Sequence, residues 1–498
     1  MSEGAYLGAL DQGTTGSRFI VFDAQGRIVR QAYKRHRQFY PNPGWVEHDP
    51  KELLSNVRAV IRACLKGTDF KLAAIGLTNQ RETVLAWDTK TGKPLHNAIV
   101  WQDTRTAGAC QRLEADGTAQ TIEEVTGLPL NPYFSATKMA WLNQHIPAVQ
   151  EALTHGRLCL GTVDSWLVWH LTGHFLTEPT NASRTMLMNL ETREWDPRML
   201  EIFGIPVEAL PRIRPSLGAF GEVDMRPFGA SGSIPIACVL GDQQAALFGQ
   251  RCFKPGEAKN TFGTGNFILV NVGQAPVRSQ NGLIPTVACT LDSGRASYAL
   301  EGPIAITGAL LGWLKDNLGI VKSVQEIDRL ANSVPDSGGT YFVPAFSGLY
   351  APHWDASARG TIVGMSGHTT KAHVARAALE AIAFQCRDVL EAMTKDLGQR
   401  PQRLKADGGG TRSPVLMQTC ADISSTELVL AHTFEVTCLG AALGAGLAEG
   451  VWKDLDAIKA LPFEETIVRP ASAAKPADGR YAGWLNAVAR SKGWVKEQ

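Results

Sequence analysis

The sequence carries no excess of either charge: 49 Lys and Arg stand against 48 Asp and Glu, a formal net charge of +1. A chain with this balance offers no broad basic field for nucleic acid or for anionic lipid. Long apolar runs are missing too, because the small-apolar stretch from Leu439 to Trp452 is interrupted by Glu449 and is too short to span a bilayer. We therefore expect no nucleic-acid partner and no membrane insertion.

Cysteine is present but without a pattern. The nine cysteines are scattered, with no C-x-x-C pair and no disulfide spacing, which predicts a reduced protein. Met1 to Gly4 lack the basic start and the apolar run of a secretory signal, so a cytoplasmic location is expected. A chain of 498 residues is too long for one hydrophobic core and should divide into two or three domains.

What the sequence does contain is an internal repeat of a local pattern, a strand followed by a glycine-rich turn and a second strand. Near the start, the apolar run Tyr6 to Leu10 leads into a Gly- and Thr-rich turn, and Phe19 to Asp23 follows as a second β-rich run. About half the chain later, Thr261 to Gly265 is again a hydroxyl- and glycine-rich turn, ahead of the strand-like run Phe267 to Val272. Matching turns between strands predict two structurally related halves, with a boundary near Gly249 to Pro255.

Helical patterns alternate with these strands. Thr370 to Asp396 places apolar residues at near-helical spacing behind a Thr N-cap, and Lys51 to Cys64 reads similarly. Such alternation favours a layered α/β architecture. We predict an α/β fold with two domains, residues 1–250 and 251–498.

Glycine-rich turns in three places are suited to phosphate. In Gly13 to Arg18, glycines let backbone N–H groups approach an anion, hydroxyls add donors and Arg18 adds a cation. Asp11 just before it suits Mg²⁺ held through water, since Mg²⁺ keeps its hydration and binds few carboxylates. Thr261 to Gly265 is the second turn, and Asp407 to Thr411, between a strand and a helix, is the third. Each alone also fits an ordinary hairpin or loop, but together they indicate a phosphate site.

The common nucleotide signatures are absent, since the chain has no G-x-x-x-x-G-K-[ST] and Gly263-Thr264-Gly265 is not completed as G-x-G-x-x-G. Asp11-Gln12-Gly13-Thr14-Thr15 with Asp407-Gly408-Gly409 resembles instead the split ATP site of the actin, sugar-kinase and Hsp70 superfamily. Tyr133 to Trp141 resembles the first signature of the FGGY carbohydrate kinases, and Gly360 to Gly364 with the helix after it resembles the second. Further strings similar to this family are Gly44 to Pro50, Thr78 to Thr83, Thr180 to Thr185 and Gly241 to Gly249.

This resemblance implies two RNase H-like (actin-like ATPase) domains with a catalytic cleft between them. It implies ATP-dependent phosphorylation of glycerol to sn-glycerol 3-phosphate, the first step of glycerol catabolism, with ATP and Mg²⁺ as cofactors. Homodimers or homotetramers are usual in the family, so a second copy of the chain is an expected partner.

The resemblance also implies roles for residues at matching positions. The implied polyol contacts are Arg81, Glu82, Tyr133, Asp242, Gln243 and Phe267, with Asp242 also the catalytic base, and Phe267 or Trp101 can cover the carbon edge of glycerol. The implied nucleotide contacts are Thr14, Thr15, Gly16, Arg18, Thr264, Gly308, Gly312, Gly409 and Ser413, and Asp11 holds the metal. On the residues alone, Arg81-Glu82 also fits a surface ion pair and Asp242 a helix N-cap.

Two positions depart from the family pattern. Gly312 stands where a Gln is usual and Ser413 where an Asn is usual, both at the adenine end, so base selectivity is expected to be modest. Two other functions stay open: another FGGY kinase acting on a tetritol or a pentulose, and an actin- or Hsp70-like ATP-driven switch. Arg81-Glu82 with Tyr133 argues against the first, and Asp242, which a switch does not need, argues against the second.

Overall fold

The computed structural model describes residues 5–471 and 474–495, and of residues 474–476 only the backbone. Met1 to Gly4, on which the expectation about a secretory signal rests, lie outside the described residues. The strands are β1 (Tyr6–Gln12), β2 (Gly16–Phe22), β3 (Ile28–Arg35), β4 (Glu47–His48), β5 (Leu72–Asn79), β6 (Val84–Asp88), β7 (Ala98–Ile99), β8 (Leu158–Thr162), β9 (Leu176–Thr177), β10 (Arg212–Ile213), β11 (Glu222–Asp224), β12 (Ser233–Gly241), β13 (Ala258–Phe262), β14 (Asn266–Gly273), β15 (Ile284–Thr290), β16 (Ala296–Ile304), β17 (Tyr341–Val343), β18 (Thr361–Val363), β19 (Arg403–Asp407), β20 (Glu427–Ala431) and β21 (Glu465–Val468). The helices are α1 (Pro50–Leu65), α2 (Ala107–Ala115), α3 (Thr118–Thr126), α4 (Ser135–His145), α5 (Pro147–Thr154), α6 (Val163–Thr172), α7 (Pro179–Ala182), α8 (Pro197–Phe203), α9 (Asp242–Gly249), α10 (Gly308–Asp316), α11 (Val324–Ala331), α12 (Lys371–Leu397), α13 (Pro414–Ser424), α14 (Val436–Ala448), α15 (Leu455–Lys459) and α16 (Ala474–Ser491).

The first half of the chain is built on a six-stranded sheet in the order β11-β12-β5-β1-β2-β3. β1, β2 and β3 are antiparallel neighbours, β5 runs parallel to β1, and β12 runs parallel to β5. The edge strand β11 returns antiparallel to β12. Residues of β1 and β2 are buried on both faces, which is typical of strands covered by helices on either side.

The second half repeats this plan in a seven-stranded sheet, β15-β16-β14-β13-β19-β20-β21. β16, β14 and β13 are antiparallel neighbours, β19 and β20 continue in parallel, and β21 returns antiparallel at the edge. The β1-β2 hairpin, with the first glycine turn, therefore corresponds to the β13-β14 hairpin, with the second. The predicted relation between the two halves is a shared sheet topology, with β15 added to the second.

The predicted helices form close to their predicted ends. α1 covers Pro50–Leu65 and α12 covers Lys371–Leu397. Thr370 caps α12 in a reciprocal pair of hydrogen bonds with His373, an arrangement that satisfies backbone donors at a helix start. A smaller sheet, β4-β7-β6-β8, joins the first half and packs with α4 around its own apolar core.

One helix from the second half packs against the first. α14 contacts β5, β1 and β12 on one side and α9 on the other. Glycines make the approach close: a Cβ at Gly440 would lie 1.8 Å from the Ala245 carbonyl oxygen, and one at Gly76 would lie 2.0 Å from that of Ala441. Only glycine allows backbone to meet backbone at these points. The division at residue 250 stays a prediction, and the packing of α14 crosses it.

Two further observations concern composition. All nine cysteines are buried free thiols. Across residues 5–471 and 474–495, no helix is long and apolar enough to cross a bilayer.

Candidate active site

The predicted site residues gather at the carboxyl ends of equivalent strands. β1 ends in the first glycine turn, β5 leads directly to Arg81 and Glu82, and β12 passes straight into α9 at Asp242. In the second half, β13 ends at the turn that contains Thr264, and β19 ends at Asp407 ahead of the third turn. Parallel neighbouring strands bring such ends to one edge of a sheet, so residues distant in sequence face the same cleft.

Charged side chains of both signs meet at one end of this cleft, and we call them the polyol cluster: Arg81, Glu82, Arg184, Asp242, Lys259 and Glu301. Arg81 is the centre of the cluster. Its Nη1 and Nη2 donate to the two carboxylate oxygens of Glu301 at 2.6 and 2.9 Å, and its Nε lies 3.2 Å from Asp242 Oδ1. The Arg81 and Glu82 side chains are 1% and 2% exposed, so the interpretation of Arg81-Glu82 as a surface ion pair is wrong.

Glu82 is held in a strained backbone conformation. Its φ of 60° lies in the left-handed region, which costs a non-glycine residue about 1–3 kcal/mol. Ser135 Oγ donates to the Glu82 carbonyl at 3.0 Å, and Arg184 Nε donates to its carboxylate at 2.6 Å. Strain of this kind persists where surrounding contacts fix it, and the bonds from Ser135 and Arg184 do so here.

Two carboxyls of the cluster have pKa values shifted in opposite directions. Burial would raise the pKa of Glu301, but the Arg184 and Arg81 guanidiniums outweigh it and lower the pKa to about 2. Burial raises the pKa of Asp242, and Arg81 and Lys259 only partly oppose the shift. Glu301 is therefore an anion near neutral pH, whereas Asp242, with 28% of its side chain exposed to the cleft, is the carboxyl suited to take up a proton.

The alternative role of Asp242 as an N-cap does not fit the geometry. Gly241 is the cap residue of α9, and Asp242 is the first residue of the helix. Its Oδ1 accepts from the adjacent Gln243 N–H at 2.7 Å. The second oxygen, Oδ2, has no hydrogen-bond partner among the described residues, which leaves it for a group in the cleft.

Gln243 is tied to a buried amine. Lys259 Nζ donates to Gln243 Oε1 at 2.6 Å and to Thr261 Oγ1 at 2.9 Å. Burial lowers the pKa of Lys259 to about 8, against the raising effect of Asp407 and Glu301. With its oxygen committed to Lys259, Gln243 offers the cleft its amide donors.

Aromatic rings border the cluster, and we call Trp101, Tyr133 and Phe267 the aromatic wall. The Trp101 ring lies edge-on to Tyr133 at 5.7 Å and to Phe267 at 6.4 Å between centroids. The Arg81 guanidinium stands over Phe267 at 5.8 Å. Charges and amides beside apolar rings are an arrangement suited to a small molecule with hydroxyls on one side and carbon on the other.

The first glycine turn presents unpaired donors. Gly13 N–H closes the turn on Gly16 O at 3.0 Å, while the N–H groups of Thr14 and Thr15 meet no acceptor among the described residues. A Cβ at Gly16 would lie 2.5 Å from the Tyr33 hydroxyl, so glycine there serves strand packing. Arg18 donates to the Glu435 carboxylate at the start of α14.

The second turn is held from behind. Gly263 N–H bonds Gly265 O at 2.9 Å, while Thr307 and Gly308 donate to the carbonyls of Thr264 and Gly263 at 3.0 and 3.2 Å. A Cβ at Gly308 would lie 2.5 Å from Gly263 O. Gly308 therefore supports the turn with its N–H already used, whereas the Thr264 N–H meets no acceptor among the described residues.

The predicted adenine end is open. A Cβ at Gly312 or at Gly409 would meet nothing within 4 Å. Ser413, in contrast, is fully engaged: its hydroxyl donates to Asp328 at 2.7 Å and accepts from Leu416 N at 3.0 Å, which caps α13. Space at the glycines admits a flat base, whereas the Ser413 side chain serves its own helix.

Asp11 fits a magnesium ion. Its carboxylate accepts no hydrogen bond from the described residues; burial raises its pKa to about 7, Arg18 lowers it, and the Asp242 and Glu435 carboxylates raise it. A cation would relieve this excess of negative charge. No group of three or more His, Cys, Asp and Glu side chains suited to a metal occurs in the described parts of the chain, and Mg²⁺ needs only one or two carboxylates beside water and phosphate.

Family models match most of the chain. The N-terminal domain of the FGGY family of carbohydrate kinases matches residues 6–249, and the C-terminal domain matches residues 258–449. The chain therefore belongs to the FGGY family of carbohydrate kinases, and its paired α/β domains are the actin-like ATPase fold of those enzymes.

The chain is also similar to individual proteins whose activities are named. The chain is 52% identical over 499 residues to a glycerol kinase of Methylorubrum populi, covering 99% of each chain. The structure of Plasmodium falciparum glycerol kinase with ADP superimposes with a TM-score of 0.90 at 37% identity, covering 100% of both chains. Xylulose kinase of Lactobacillus acidophilus superimposes with a TM-score of 0.88 at 25% identity, covering 98% of this chain and 99% of that one.

Sequence reasoning missed three members of the polyol cluster. Glu301 is the single charge in β16, which reads ASYALEGPI, and Lys259 is the single charge in β13, which reads AKNTF. A lone charge inside a buried strand is a signal of a paired interior group. Arg184 lies within the family-like string Thr180 to Thr185, but the sequence did not show that its side chain is buried.

Proposed function

We propose that this chain transfers the γ-phosphoryl group of ATP to a terminal hydroxyl of glycerol, giving sn-glycerol 3-phosphate. The observation that carries the proposal is the polyol cluster, in which donors and acceptors converge beside the aromatic wall and next to a carboxyl of raised pKa. The identities of 52% and 37% to proteins named glycerol kinase support it.

Glycerol binding follows from hydroxyl chemistry. Each hydroxyl donates once and accepts twice, so a matched site needs both donors and acceptors within reach. Arg81 donates, Glu82 and Asp242 accept, and Gln243 offers amide protons. The rings of Phe267 and Trp101 cover the carbon edge, while Tyr133 closes the wall beside them.

Phosphoryl transfer depends on positioning and on charge neutralisation. Asp242 takes the proton from the attacking hydroxyl as the new oxygen–phosphorus bond forms and the bond from the γ-phosphorus to the departing ADP oxygen breaks. The proton leaves no earlier, because an alcohol is too weak an acid. Thr14, Thr15, Arg18 and Thr264 hold the phosphate oxygens. Mg²⁺ held through Asp11 supplies neutralising charge to those oxygens when it is bound. Gly312 and Gly409 leave room for adenosine.

The experiment is a coupled assay of ADP release with glycerol, erythritol, xylulose and dihydroxyacetone. We expect turnover with glycerol and little ATP hydrolysis without a polyol, because the closed cleft excludes water. Preference for xylulose or erythritol would assign the chain to another activity of the family. Rapid ADP release with no polyol present would favour an ATP-driven switch.

The family resemblance also extends to location and assembly. Within the proposal, the chain acts in the cytoplasm as the first step of glycerol catabolism and assembles as a homodimer or homotetramer. Light scattering on the purified protein measures the assembly directly, and a monomer at micromolar concentration would contradict this part.

A further inference from the structure

Trp101 reaches both ends of the cleft. Its ring forms part of the aromatic wall, against Tyr133 and Phe267. Its indole N–H points the other way and donates to the Thr14 hydroxyl at 2.9 Å. The backbone N–H of Trp101 donates to Thr83 Oγ1 at 3.2 Å, which anchors the residue at the start of β6. One side chain thus joins the polyol pocket to the first phosphate turn.

The chemistry of this bond fixes the polarity of Thr14. An indole N–H only donates, so the Thr14 oxygen must accept, while a hydroxyl keeps one proton of its own to give. Among the described residues Trp101 is the single partner of that hydroxyl. The Thr14 proton is therefore available to an acceptor in the cleft, together with the unpaired N–H groups of Thr14 and Thr15.

The backbone of the turn is fixed from behind. His36 Nε2 lies 2.9 Å from the Thr14 carbonyl, and Gln38 Nε2 donates to the same oxygen at 2.8 Å. Burial lowers the pKa of His36, and burial with the neighbouring His36 lowers that of His48 to about 3. Both rings are neutral near pH 7, so His36 holds the turn, and His48 holds Gln38 at 2.7 Å, without adding charge. With the backbone fixed, the orientation of the Thr14 hydroxyl proton is the remaining freedom of this residue. The indole N–H of Trp101 fixes that orientation.

We propose that Trp101 is a positioning residue that couples the two substrates. Glycerol packed against the ring holds the indole in place, and the indole N–H then turns the Thr14 hydroxyl to donate to a phosphate oxygen of the nucleotide. The inference rests on the proposed function, and it adds a reason why a nucleotide should bind better when the polyol pocket is filled.

Binding calorimetry with a non-hydrolysable ATP analogue tests the coupling without relying on turnover. Titrations with and without saturating glycerol would compare the wild type, Trp101→Phe, Thr14→Val and the double variant. With glycerol saturating, each single variant should bind the analogue about fivefold more weakly, the net effect of one hydrogen bond. The double variant should be no weaker than Thr14→Val, because Trp101 acts on the phosphate only through the Thr14 hydroxyl.

Two control variants separate the effect of the Trp101 indole N–H bond from the effects of thinning the aromatic wall or of losing an unrelated indole. Phe267→Leu thins the aromatic wall without removing an indole, so it should weaken glycerol binding and leave analogue affinity at saturating glycerol unchanged. Trp195→Phe removes an indole N–H that donates to Pro211 O at 2.9 Å away from the cleft, and both affinities should stay at wild-type values.

The outcomes are distinct. Unchanged analogue affinity in Trp101→Phe, or additive losses in the double variant, would overturn the coupling while leaving glycerol phosphorylation intact. A wild-type protein that binds the analogue but not glycerol would contradict the proposed function itself.

Discussion

The two ends of the cleft are built differently. At the polyol end, side chains of opposite charge pair at 2.6 to 3.2 Å, and Glu301 by itself accepts hydrogen bonds from both Arg81 and Arg184. At the nucleotide end, glycines face open space, and the Ser413 hydroxyl donates to Asp328 on α11 and accepts from Leu416 N–H on its own helix. Recognition of a small polyol requires every hydroxyl to be matched, whereas a nucleotide can be held by its phosphates and by shape. Side-chain changes should therefore matter most at the polyol end.

The largest effect is expected from Asp242→Asn. The amide keeps the size and hydrogen bonding of the carboxylate but cannot take a proton, so turnover should fall by roughly 10²–10⁴-fold. Glycerol affinity should change far less. Turnover at saturating substrates and calorimetric glycerol binding measure the two effects separately. Near-normal turnover would make Asp242 a substrate anchor, and the base would have to be sought elsewhere in the cleft.

The next effect concerns Glu301→Gln. Loss of this charge leaves Arg81 and Arg184 without their shared anion, and hydrogen bonds to charged groups contribute about 1.5–3 kcal/mol. We expect glycerol affinity to weaken by about 10- to 100-fold, with ATP affinity little changed. Isothermal titration with each substrate measures both.

Glu380→Gln is the matched control. Glu380 is also a buried carboxylate that accepts from two arginines, Arg376 at 2.9 Å and Arg480 at 3.4 Å, but it lies on α12 away from the cleft. Both variants should lose thermal stability, because each removes a carboxylate that two arginines share. The loss should be smaller in Glu380→Gln, since Arg376 and Arg480 are 16% and 28% exposed. Only Glu301→Gln should lose glycerol affinity, and equal losses in the two would mean that Glu301 is merely structural.

Glu301 also predicts a dependence of stability on pH. Its pKa is about 2 in the folded chain against 4.5 as the ordinary value, so the unfolded chain binds more protons between those values. The stabilisation is fully present above about pH 4.5 and is lost as the pH falls towards 2. From pH 4.5 to 3.5, urea titrations should show a steeper loss of unfolding free energy in the wild type than in Glu301→Gln. Parallel curves would contradict the low pKa.

The smallest effect is expected at the nucleotide end, from Gly312→Gln. A side chain there enters open space, and one added hydrogen bond to the base should tighten ATP binding by about fivefold. Glycerol affinity and turnover should stay unchanged. Titration with ATP and GTP also tests the contrast between the two ends of the cleft. If the wild type rejects GTP by several orders of magnitude, other side chains recognise the base.

Local sequence patterns predicted much of this structure, whereas contacts between residues far apart in the sequence could not be predicted. The glycine turns, the hairpins beside them and α12 follow from short stretches of sequence, so they could be predicted. The partner of Arg81 could not, since Glu301 lies 220 residues further along the chain. The bond from the Ser413 hydroxyl to Asp328, 85 residues before it, could not be predicted either, and the role of Ser413 at the nucleotide stays a prediction. Such choices depend on which elements the fold brings together.

The position of α14 has a consequence for biosynthesis. Strands β1, β5 and β12 are complete once the ribosome has passed Gly241, but the helix that covers one face of them ends only at Ala448. Until then that face, with Leu7, Ala74 and Ala237, stays uncovered by its own chain. A nascent protein in this state exposes apolar surface for about two hundred residues of synthesis, which makes it a natural client for chaperones. Splitting the gene near codon 250 should likewise yield an aggregating first half, rescued only when a segment containing α14 is supplied.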